Sequence, residues 1–385
     1  MSNKIKCELC GAEVHSIQLH LRDKHPEHSK EAYEILYPDA PMMSDTAKAH
    51  LAKKTDVSGV ETKMAVSAIA LKREDGSVMK PMHEVFGLGK VKAAMNARGE
   101  AIPIQVFDDN KHSDMIPEID NGYIFSIDLL KTCLLGLDLN IPTYTWGHAG
   151  VGKSTVHEQV SARTNRPYIR IQHTANTEEA HIVGQTLANA DGTYFEPGPL
   201  PLAMRNGWVY NADEYDFAHA SILAVYQPVL EGKALLIKEA PESWRVVKPH
   251  PNFRFVATGN TNGSGDESGL YIGTNIGNAA NYSRFGIVEH VPYMPKKQET
   301  QVLVNQSGIA KEDAQKLVAF ATDIRKAFDK GSMGGTIGPR ELIYAGKIGL
   351  RRGSWRTGLT LSFINRLGEV DRETADGVAQ RVFGD

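Results

Sequence analysis

A glycine-rich stretch constrains this 385-residue chain more than any other part of its sequence. The stretch reads Gly147, His148, Ala149, Gly150, Val151, Gly152, Lys153, Ser154, Thr155. It fits the pattern G-x-x-x-x-G-K-S/T, in which backbone N–H groups cradle a polyphosphate between a strand and a helix. The apolar run 141–146 before it is typical of a buried strand, and 154–164 after it suits a helix. The pattern predicts nucleotide binding.

Polar side chains in and beyond this loop suit nucleotide chemistry. We expect the Lys153 ammonium to reach the β- and γ-phosphates and the Ser154 hydroxyl to bind Mg²⁺. An acidic pair, Asp213 and Glu214, follows the apolar run 208–212. Asp213 is placed to hold Mg²⁺ through water, and Glu214 to deprotonate the water that attacks the γ-phosphate. An acidic pair that merely closes a surface strand is the alternative interpretation.

Short apolar runs separated by helical segments predict an α/β fold with a mostly parallel sheet flanked by helices. The predicted strands are 141–146, 168–172, 208–212, 253–258 and 285–291. Ligands of such sheets bind at the carboxyl ends of the strands. Asn260 follows the fourth strand, where its amide is placed to hold the same water as Glu214. The segment 123–137 suits an amphipathic helix, in which Cys133 is a core residue.

The composition excludes several classes of protein. With 41% hydrophobic and 23% charged residues and a net charge of −3, the chain does not have a surface that binds nucleic acid all round. The N-terminus lacks the apolar core of a signal peptide, and charged residues interrupt the most apolar window, 124–141. We therefore expect no membrane span. Three cysteines cannot build a disulfide framework, which favours the reducing cytosol.

Residues 1–28 have the pattern of a small zinc finger. The four candidate ligands are Cys7, Cys10, His20 and His25, in the spacing C-x2-C-x9-H-x4-H. Thiolates on a tight turn and imidazoles on a helix face are the ligands of a tetrahedral zinc site. The short loop before His20 leaves His15 and His28 as possible substitutes for either histidine. Basic and acidic residues balance within the finger, which favours docking to a protein over binding to DNA.

Residues 29–112 are predicted to hold a helical segment and a linker. The segments 31–36 and 44–54 suit short helices on either side of a proline-containing break. Residues 55–80 are polar with scattered glycine, which is typical of a linker. The region from there to residue 110 gives no clear pattern.

Several motifs together resemble the CobS-like proteins of the MoxR group of AAA+ ATPases. The similarity runs from about residue 113 to the C-terminus and leaves the finger and residues 29–110 outside it. The motifs lie at 213–216, 227–231, 249–254, 257–261, 265–271, 338–340 and 380–384. CobS-like proteins with such an N-terminal addition resemble versions found in phage genomes.

The resemblance implies a doubly wound nucleotide-binding core at 113–294, a helical lid at 295–385 and a hexameric or similar ring. It places Lys153 and Ser154 in Walker A, Asp213 and Glu214 in Walker B, and Asn260 at sensor 1. Arg284 matches the arginine finger, which acts on the nucleotide of the neighbouring subunit. Relatives often carry an acidic residue where this chain has Ser283. Arg340 matches sensor 2 at the start of a lid helix.

These features predict an ATP-hydrolysing ring motor that remodels a partner protein, with ATP, Mg²⁺ and Zn²⁺ as cofactors. The insertions 182–200 and 234–247 are expected to be loops that face the pore or the client, or plain surface hairpins. The resemblance implies a von Willebrand A-type or chelatase-like partner. Cobalt insertion into a corrin ring is one alternative, and a nucleic-acid motor tethered by the finger is another. A bacterial or phage-infected cytosol is the expected location.

Overall fold

The computed structural model describes residues 4–25, 33–34, 36–38, 40–47, 76–107 and 113–384. The chain divides into two compact units, residues 1–71 and 72–385. Residues 55–75 of the expected linker and most of the helices expected at 31–36 and 44–54 lie outside the described residues, whereas residues 77–80 of the expected linker belong to a strand. The domain boundaries at residues 28, 112 and 294 stay predictions.

The described part of the first unit includes a two-stranded antiparallel sheet and a helix. The strands are β1 (Ile5–Lys6) and β2 (Glu13–Val14), and the helix is α1 (Ile17–Lys24). The Ser16 hydroxyl accepts a hydrogen bond from the Leu19 amide and so caps the start of α1. Its small core contains Cys7, Ile17, Leu21 and Tyr33.

A five-stranded parallel sheet forms the centre of the second unit and confirms the predicted α/β fold. The strands are β5 (Thr143–Trp146), β6 (Tyr168–Gln172), β9 (Val209–Asp213), β12 (Arg254–Gly259) and β13 (Ile287–His290). Their spatial order is β13, β5, β12, β9, β6. Every neighbouring pair is parallel, so the carboxyl ends of all five strands share one edge. That edge is where Asp213, Glu214 and Asn260 were expected.

Apolar side chains cover both faces of this sheet. One core cluster includes Leu130, Val156 and Val209, and another includes Tyr144 and Tyr210. The helices of this layer are α3 (Ile127–Leu139), α4 (Lys153–Arg163), α5 (Glu179–Val183), α6 (Pro199–Asn206), α7 (Ala220–Leu223), α8 (Gln227–Leu230), α9 (Glu242–Arg245) and α10 (Ala279–Tyr282). The first of them contains Cys133, which is buried as expected.

Residues 76–107 contain more regular secondary structure than the sequence indicates. An antiparallel pair, β3 (Ser77–Pro81) and β4 (Pro103–Phe107), brackets a short helix, α2 (Met82–Val85). Met82 and Ile104 belong to the same apolar cluster as the α3 side chains. The long connection between β3 and β4 carries no tight-turn signal, which is why the pairing is not evident from the sequence.

Both predicted insertions contain antiparallel hairpins. The first pairs β7 (Gly184–Asn189) with β8 (Gly192–Pro197), and the second pairs β10 (Leu235–Leu236) with β11 (Val246–Val247). Each hairpin presents an exposed apolar side chain, Tyr194 on the first and Leu236 on the second.

The C-terminal region, hereafter the lid, is helical as predicted. Its helices are α11 (Lys296–Ser307), α12 (Lys311–Asp329), α13 (Pro339–Arg352), α14 (Trp355–Ser362) and α15 (Glu369–Phe383). They enclose a separate apolar cluster that includes Leu317, Phe320 and Leu342. Among the described residues, no helix has both the length and the apolar character needed to cross a bilayer.

A buried ion pair joins two lid helices. Both guanidinium Nη atoms of Arg325 donate to Glu299, over 2.8 and 2.6 Å, and its Nε donates to the Ile337 carbonyl. The Glu299 side chain is 1% exposed. Loss of one partner from such a pair leaves the other charge buried and uncompensated.

We expect Glu299→Ala to lower the free energy of unfolding by about 3–5 kcal/mol for that reason. Urea unfolding followed by circular dichroism measures the change. The matched control is Asp323→Ala, which removes an exposed ion pair with Lys326 on the same lid and should cost less than ~1 kcal/mol. If Glu299→Ala lowers the free energy of unfolding by no more than the control does, the buried ion pair does not contribute to lid stability as expected.

Candidate nucleotide-binding site

A cleft of about 390 Å³ lies where the carboxyl edge of the sheet meets the lid. The glycine-rich loop lines it from residue 149 to residue 155. Glu214 and Asn260 line it from the strand ends, and Arg340 and Tyr344 line it from the lid. The structure therefore brings most of the predicted site residues to one cavity.

The glycine-rich loop has the strand–turn–helix context that the pattern predicts. It connects β5 to α4, and α4 begins at Lys153. Gly150 and Gly152 adopt φ values of +78° and +94°, which side chains with a Cβ rarely tolerate. A Cβ on Gly147 would lie 2.4 Å from the Val291 carbonyl oxygen. The tight course of the loop thus depends on its glycines.

The Lys153 ammonium is buried among oxygen atoms. It donates to the carbonyls of Gly147 and His148, over 2.8 and 2.9 Å, and to Asn260 Oδ1 over 3.0 Å. Burial lowers the pKa of Lys153 to about 8, against the opposing effect of nearby carboxylates such as Glu214. A lysine held in this way favours an anion such as phosphate, which would restore a counter-charge.

Asp213 ends strand β9 and is surrounded by donors. The Ser154 hydroxyl donates to Asp213 Oδ1 over 2.5 Å, and Thr258 donates to the same oxygen. Arg170 Nε donates to Oδ2 over 2.7 Å. Burial alone would raise the pKa of Asp213. The hydrogen bonds from the two hydroxyls and the charge of the guanidinium lower it by more, so the net shift of the pKa is downward. The carboxylate stays charged at neutral pH.

Glu214 occupies a strained backbone position beside this carboxylate. Its φ of +54° is one of three positive values among non-glycine residues of the described chain. Such positions cost energy and persist at functional sites. The Asn260 side-chain amide donates to Glu214 Oε2 over 2.7 Å. Burial and the charge of Asp213 raise the pKa of Glu214, while Lys153 opposes them, so this carboxylate is the stronger base of the pair.

Sequence reasoning missed three residues that shape the site. Arg170 lines the cleft and pairs with Asp213. Asp216 Oδ2 accepts hydrogen bonds from the amides of Asn260 and Thr261, each over 2.8 Å, and so fixes the turn that carries Asn260. The Tyr271 hydroxyl accepts from the Ala149 amide over 3.0 Å. Asp216 and Tyr271 fall within the motifs at 213–216 and 265–271, which was the available signal; Arg170 is an isolated basic residue in a strand.

The two predicted arginines lie in different places. Arg340 is exposed at the start of α13 and lines the cleft. Arg284 follows α10 and is not among the residues that line the cleft. Its Nε donates to Glu231 Oε1 over 2.8 Å, and its side chain is 26% exposed. Within one chain, Arg284 therefore does not join the other site residues.

The cleft fits a nucleotide with its magnesium ion. Ser154 Oγ and the Asp213 carboxylate lie within 2.5 Å of each other and supply the hard oxygen donors that Mg²⁺ prefers. The glycine turns before Lys153 leave room for phosphates against backbone N–H groups at the start of α4. The ammonium of Lys153 lies at the same end of the helix.

The predicted zinc ligands also lie together, within the first unit. One ligand atom from each member of the set is within 4.8 Å of the others; the set is Cys7, Cys10, His20 and His25. Cys10 Sγ and His20 Nε2 are 3.1 Å apart. The possible substitute His15 instead contacts Ser44 Oγ over 2.9 Å, and His28 lies outside the described residues. The donor set suits a tetrahedral zinc ion.

Comparison with known proteins gives two matching families. Residues 146–271 match the family described as AAA domain (dynein-related subfamily), and residues 299–380 match the family described as CbbQ/NirQ/NorQ C-terminal. The chain is 32% identical to the aerobic cobaltochelatase subunit CobS of Sinorhizobium sp over 286 residues, which cover 71% of this chain and 85% of that protein. The chain belongs to the CobS-like AAA+ ATPases.

Two further relatives extend this comparison. Protein CbbQ of Hydrogenophilus thermoluteolus is 27% identical, with 54% of this chain and 74% of that protein covered. The von Willebrand factor A domain-containing protein 8 of Mus musculus is 24% identical, with 80% of this chain and 16% of that protein covered. A CobS-like AAA+ ATPase hydrolyses ATP and requires Mg²⁺, and AAA+ proteins typically form oligomers.

The contacts of Asp216 predict a positioning effect on this ATPase. Asp216→Ala should leave nucleotide affinity nearly unchanged but lower kcat about 100-fold, because small displacements of a group such as Asn260 are costly. Steady-state hydrolysis and equilibrium binding of a fluorescent ATP analogue separate the two effects. Asp216→Asn keeps one side-chain oxygen as an acceptor, so its kcat should fall less than that of Asp216→Ala. A wild-type kcat in Asp216→Ala would show that the turn holds Asn260 without it.

Proposed function

We propose that this CobS-like AAA+ ATPase is a ring motor that uses ATP hydrolysis to remodel a partner protein or complex. The observation that carries the proposal is the linked set Lys153, Asn260 and Glu214, joined by two hydrogen bonds inside the cleft. This set combines a cation for the phosphates with an amide and a base for water. An ATPase that had lost its activity would have no need to keep such an arrangement of side chains.

The proposed chemistry is the transfer of the γ-phosphoryl group to water. Glu214 takes the proton of the attacking water, and Asn260 orients that water through its bond to Glu214. Ser154 and Asp213 would hold Mg²⁺, which neutralises charge on the phosphates. Lys153 leaves its carbonyl partners for the β- and γ-phosphates. The loop backbone from Gly147 to Thr155 cradles the phosphates, and catalysis comes from positioning and charge rather than from a covalent intermediate.

A ring is part of the proposal because Arg284 lies outside its own cleft. Its guanidinium is held by Glu231 and by the Ala280 carbonyl at the surface of the core. Arg284 would act on the nucleotide of a neighbouring copy and neutralise charge there in the transition state. Arg340, on the lid of the same chain, would report whether nucleotide is bound. We propose a hexamer, with a core at 113–294 and a lid at 295–385.

The first test is the base. Glu214→Gln should bind ATP with near-normal affinity but hydrolyse it at least about 100-fold more slowly, because the amide cannot accept the proton of water. Single-turnover hydrolysis and equilibrium binding measure the two properties. Glu312→Gln, an exposed glutamate at the start of α12, is the control and should leave both unchanged. Normal turnover in Glu214→Gln would remove Glu214 as the base.

The proposed partner is a von Willebrand A-type or chelatase-like protein. Two relatives support it by name: one is a cobaltochelatase subunit, and another carries a von Willebrand A domain in the same polypeptide. The exposed Tyr194 and Leu236, on the two hairpins, would contact the client. A second candidate function is ATP supply for cobalt insertion into a corrin ring, favoured by the 32% identity to CobS.

Capture of the partner tests this proposal. Glu214→Gln protein, loaded with ATP, is used to purify bound molecules from the native host, beside the same protein without residues 1–28. Recovery of a von Willebrand A-type or chelatase-like protein would support remodelling. Recovery of nucleic acid alone, lost together with residues 1–28, would instead support a nucleic-acid motor tethered by the finger.

We also propose that residues 1–28 form a zinc finger that docks a protein. The compact arrangement of its four cysteine and histidine ligand atoms supports zinc, and its balanced charge argues against a DNA grip. Metal binding would supply the stability that so small a core lacks. Reduced zinc thiolates agree with a bacterial or phage-infected cytosol.

The zinc proposal predicts that Cys7→Ser loses its metal while ATP hydrolysis persists, because the ligands belong to the first compact unit and the ATPase site to the second. Elemental analysis of the purified protein gives the zinc content. Cys133→Ala is the matched control, since that cysteine lies in the core of the second unit. Unchanged zinc in Cys7→Ser would exclude Cys7 as a ligand.

A further inference from the structure

The buried carboxylate of Asp213 already has a counter-charge in the structure. Arg170 Nε donates to Asp213 Oδ2 over 2.7 Å, and the Nη2 atom of the same guanidinium contacts the same oxygen. The Asp213 side chain is 3% exposed, whereas that of Arg170 is 48% exposed. A carboxylate this buried is stable only with a partner of opposite charge or with several donors.

The sheet register explains why Arg170 reaches this position. Arg170 on β6 lies opposite Asn211 on β9, and Asp213 is two residues further along β9 on the same face. Diagonal neighbours on one face of a sheet lie within reach of long side chains. The Arg170 guanidinium therefore arrives at the strand end from the edge of the sheet, while Ser154 arrives from α4.

These contacts occupy both oxygens of the carboxylate. Oδ1 accepts from Ser154 and Thr258, and Oδ2 accepts from Arg170. A divalent cation bound beside Asp213 would share the carboxylate with a guanidinium, and the two positive charges would repel each other. Arg170 and Mg²⁺ would thus compete for Asp213.

Arg170 has room to move away. Its half-exposed side chain lines the nucleotide cleft and also a second, adjacent cavity. That second cavity is lined by Glu158 among other residues, and the carboxylate of Glu158 offers an alternative partner for the guanidinium. The loss of the Asp213 contact therefore need not leave the arginine without a counter-charge.

We propose that Arg170 is a positioning residue that occupies the metal side of Asp213 until Mg²⁺ arrives with the nucleotide. In the metal-free protein it holds the carboxylate in its binding orientation and neutralises its charge. When Mg²⁺ binds, Arg170 moves towards Glu158 and the second cavity. This inference rests on the proposed magnesium role of Asp213.

The test compares Arg170→Ala with the wild type without metal and with it. Thermal unfolding is followed in EDTA and in saturating Mg²⁺ with ADP, and Mg²⁺ is titrated into protein that holds a fluorescent ADP analogue. We expect the variant to unfold at a lower temperature in EDTA, with most of the difference removed by Mg²⁺ and ADP. We also expect half-saturation at about tenfold less Mg²⁺, because a competing charge at short range is gone.

Two further variants keep the result interpretable. Arg170→Lys retains the charge, so its unfolding temperature in EDTA and its Mg²⁺ concentration at half-saturation should lie between those of the wild type and of Arg170→Ala. It replaces Arg170→Ala in the test if the alanine variant does not fold. Arg205→Ala removes another arginine with a defined contact, to the Ser243 carbonyl, and should leave the Mg²⁺ titration unchanged.

An equal loss of thermal stability in both conditions, with an unchanged Mg²⁺ titration, would overturn the proposal and leave Arg170 as an ordinary structural ion pair. Asp213→Asn separates this failure from that of the underlying function. If Asp213→Asn also leaves the Mg²⁺ titration unchanged, the magnesium role of Asp213 is wrong.

Discussion

The buried ammonium of Lys153 is the interaction on which the site depends. It connects the glycine-rich loop, through the carbonyls of Gly147 and His148, to Asn260 at the end of β12. Asn260 in turn donates to Glu214 at the end of β9. One charged group thereby helps to hold together three segments that are far apart in the sequence. Burial lowers the pKa of Lys153 to about 8, because the nearby carboxylates offset only part of the cost of desolvating the ammonium.

The fold and most of the site follow from local patterns. The phosphate loop, the acidic pair after β9 and the asparagine after β12 are predictable because parallel strands end at one edge of a sheet. Arg170 and Asp216 are not, since their roles arise from strand register and from a turn closed by contacts across the sheet. The β3–β4 pair is also not predictable from local patterns, because its two strands are separated by a long connection without turn signals.

The two predicted arginines occupy different positions relative to the cleft of their own chain. Arg340 lines the cleft of its own chain, whereas Arg284 is held at the surface by Glu231. A single chain thus contains a complete phosphate loop, acidic pair and asparagine in its cleft, but its Arg284 lies outside that cleft. The proposed ring, in which each copy completes the site of the next, would account for this geometry, because hydrolysis would then occur only when neighbours are in place.

Mixing two inactive variants tests that central claim most directly. Glu214→Gln chains lack the base but carry Arg284. Arg284→Ala chains lack the proposed arginine finger but carry the base. If Arg284 acts on a neighbouring copy, the mixture should hydrolyse ATP well above the sum of the two separate variants, because some sites combine an intact base with an intact finger. Full activity of Arg284→Ala alone, or a mixture no more active than that sum, would contradict the account.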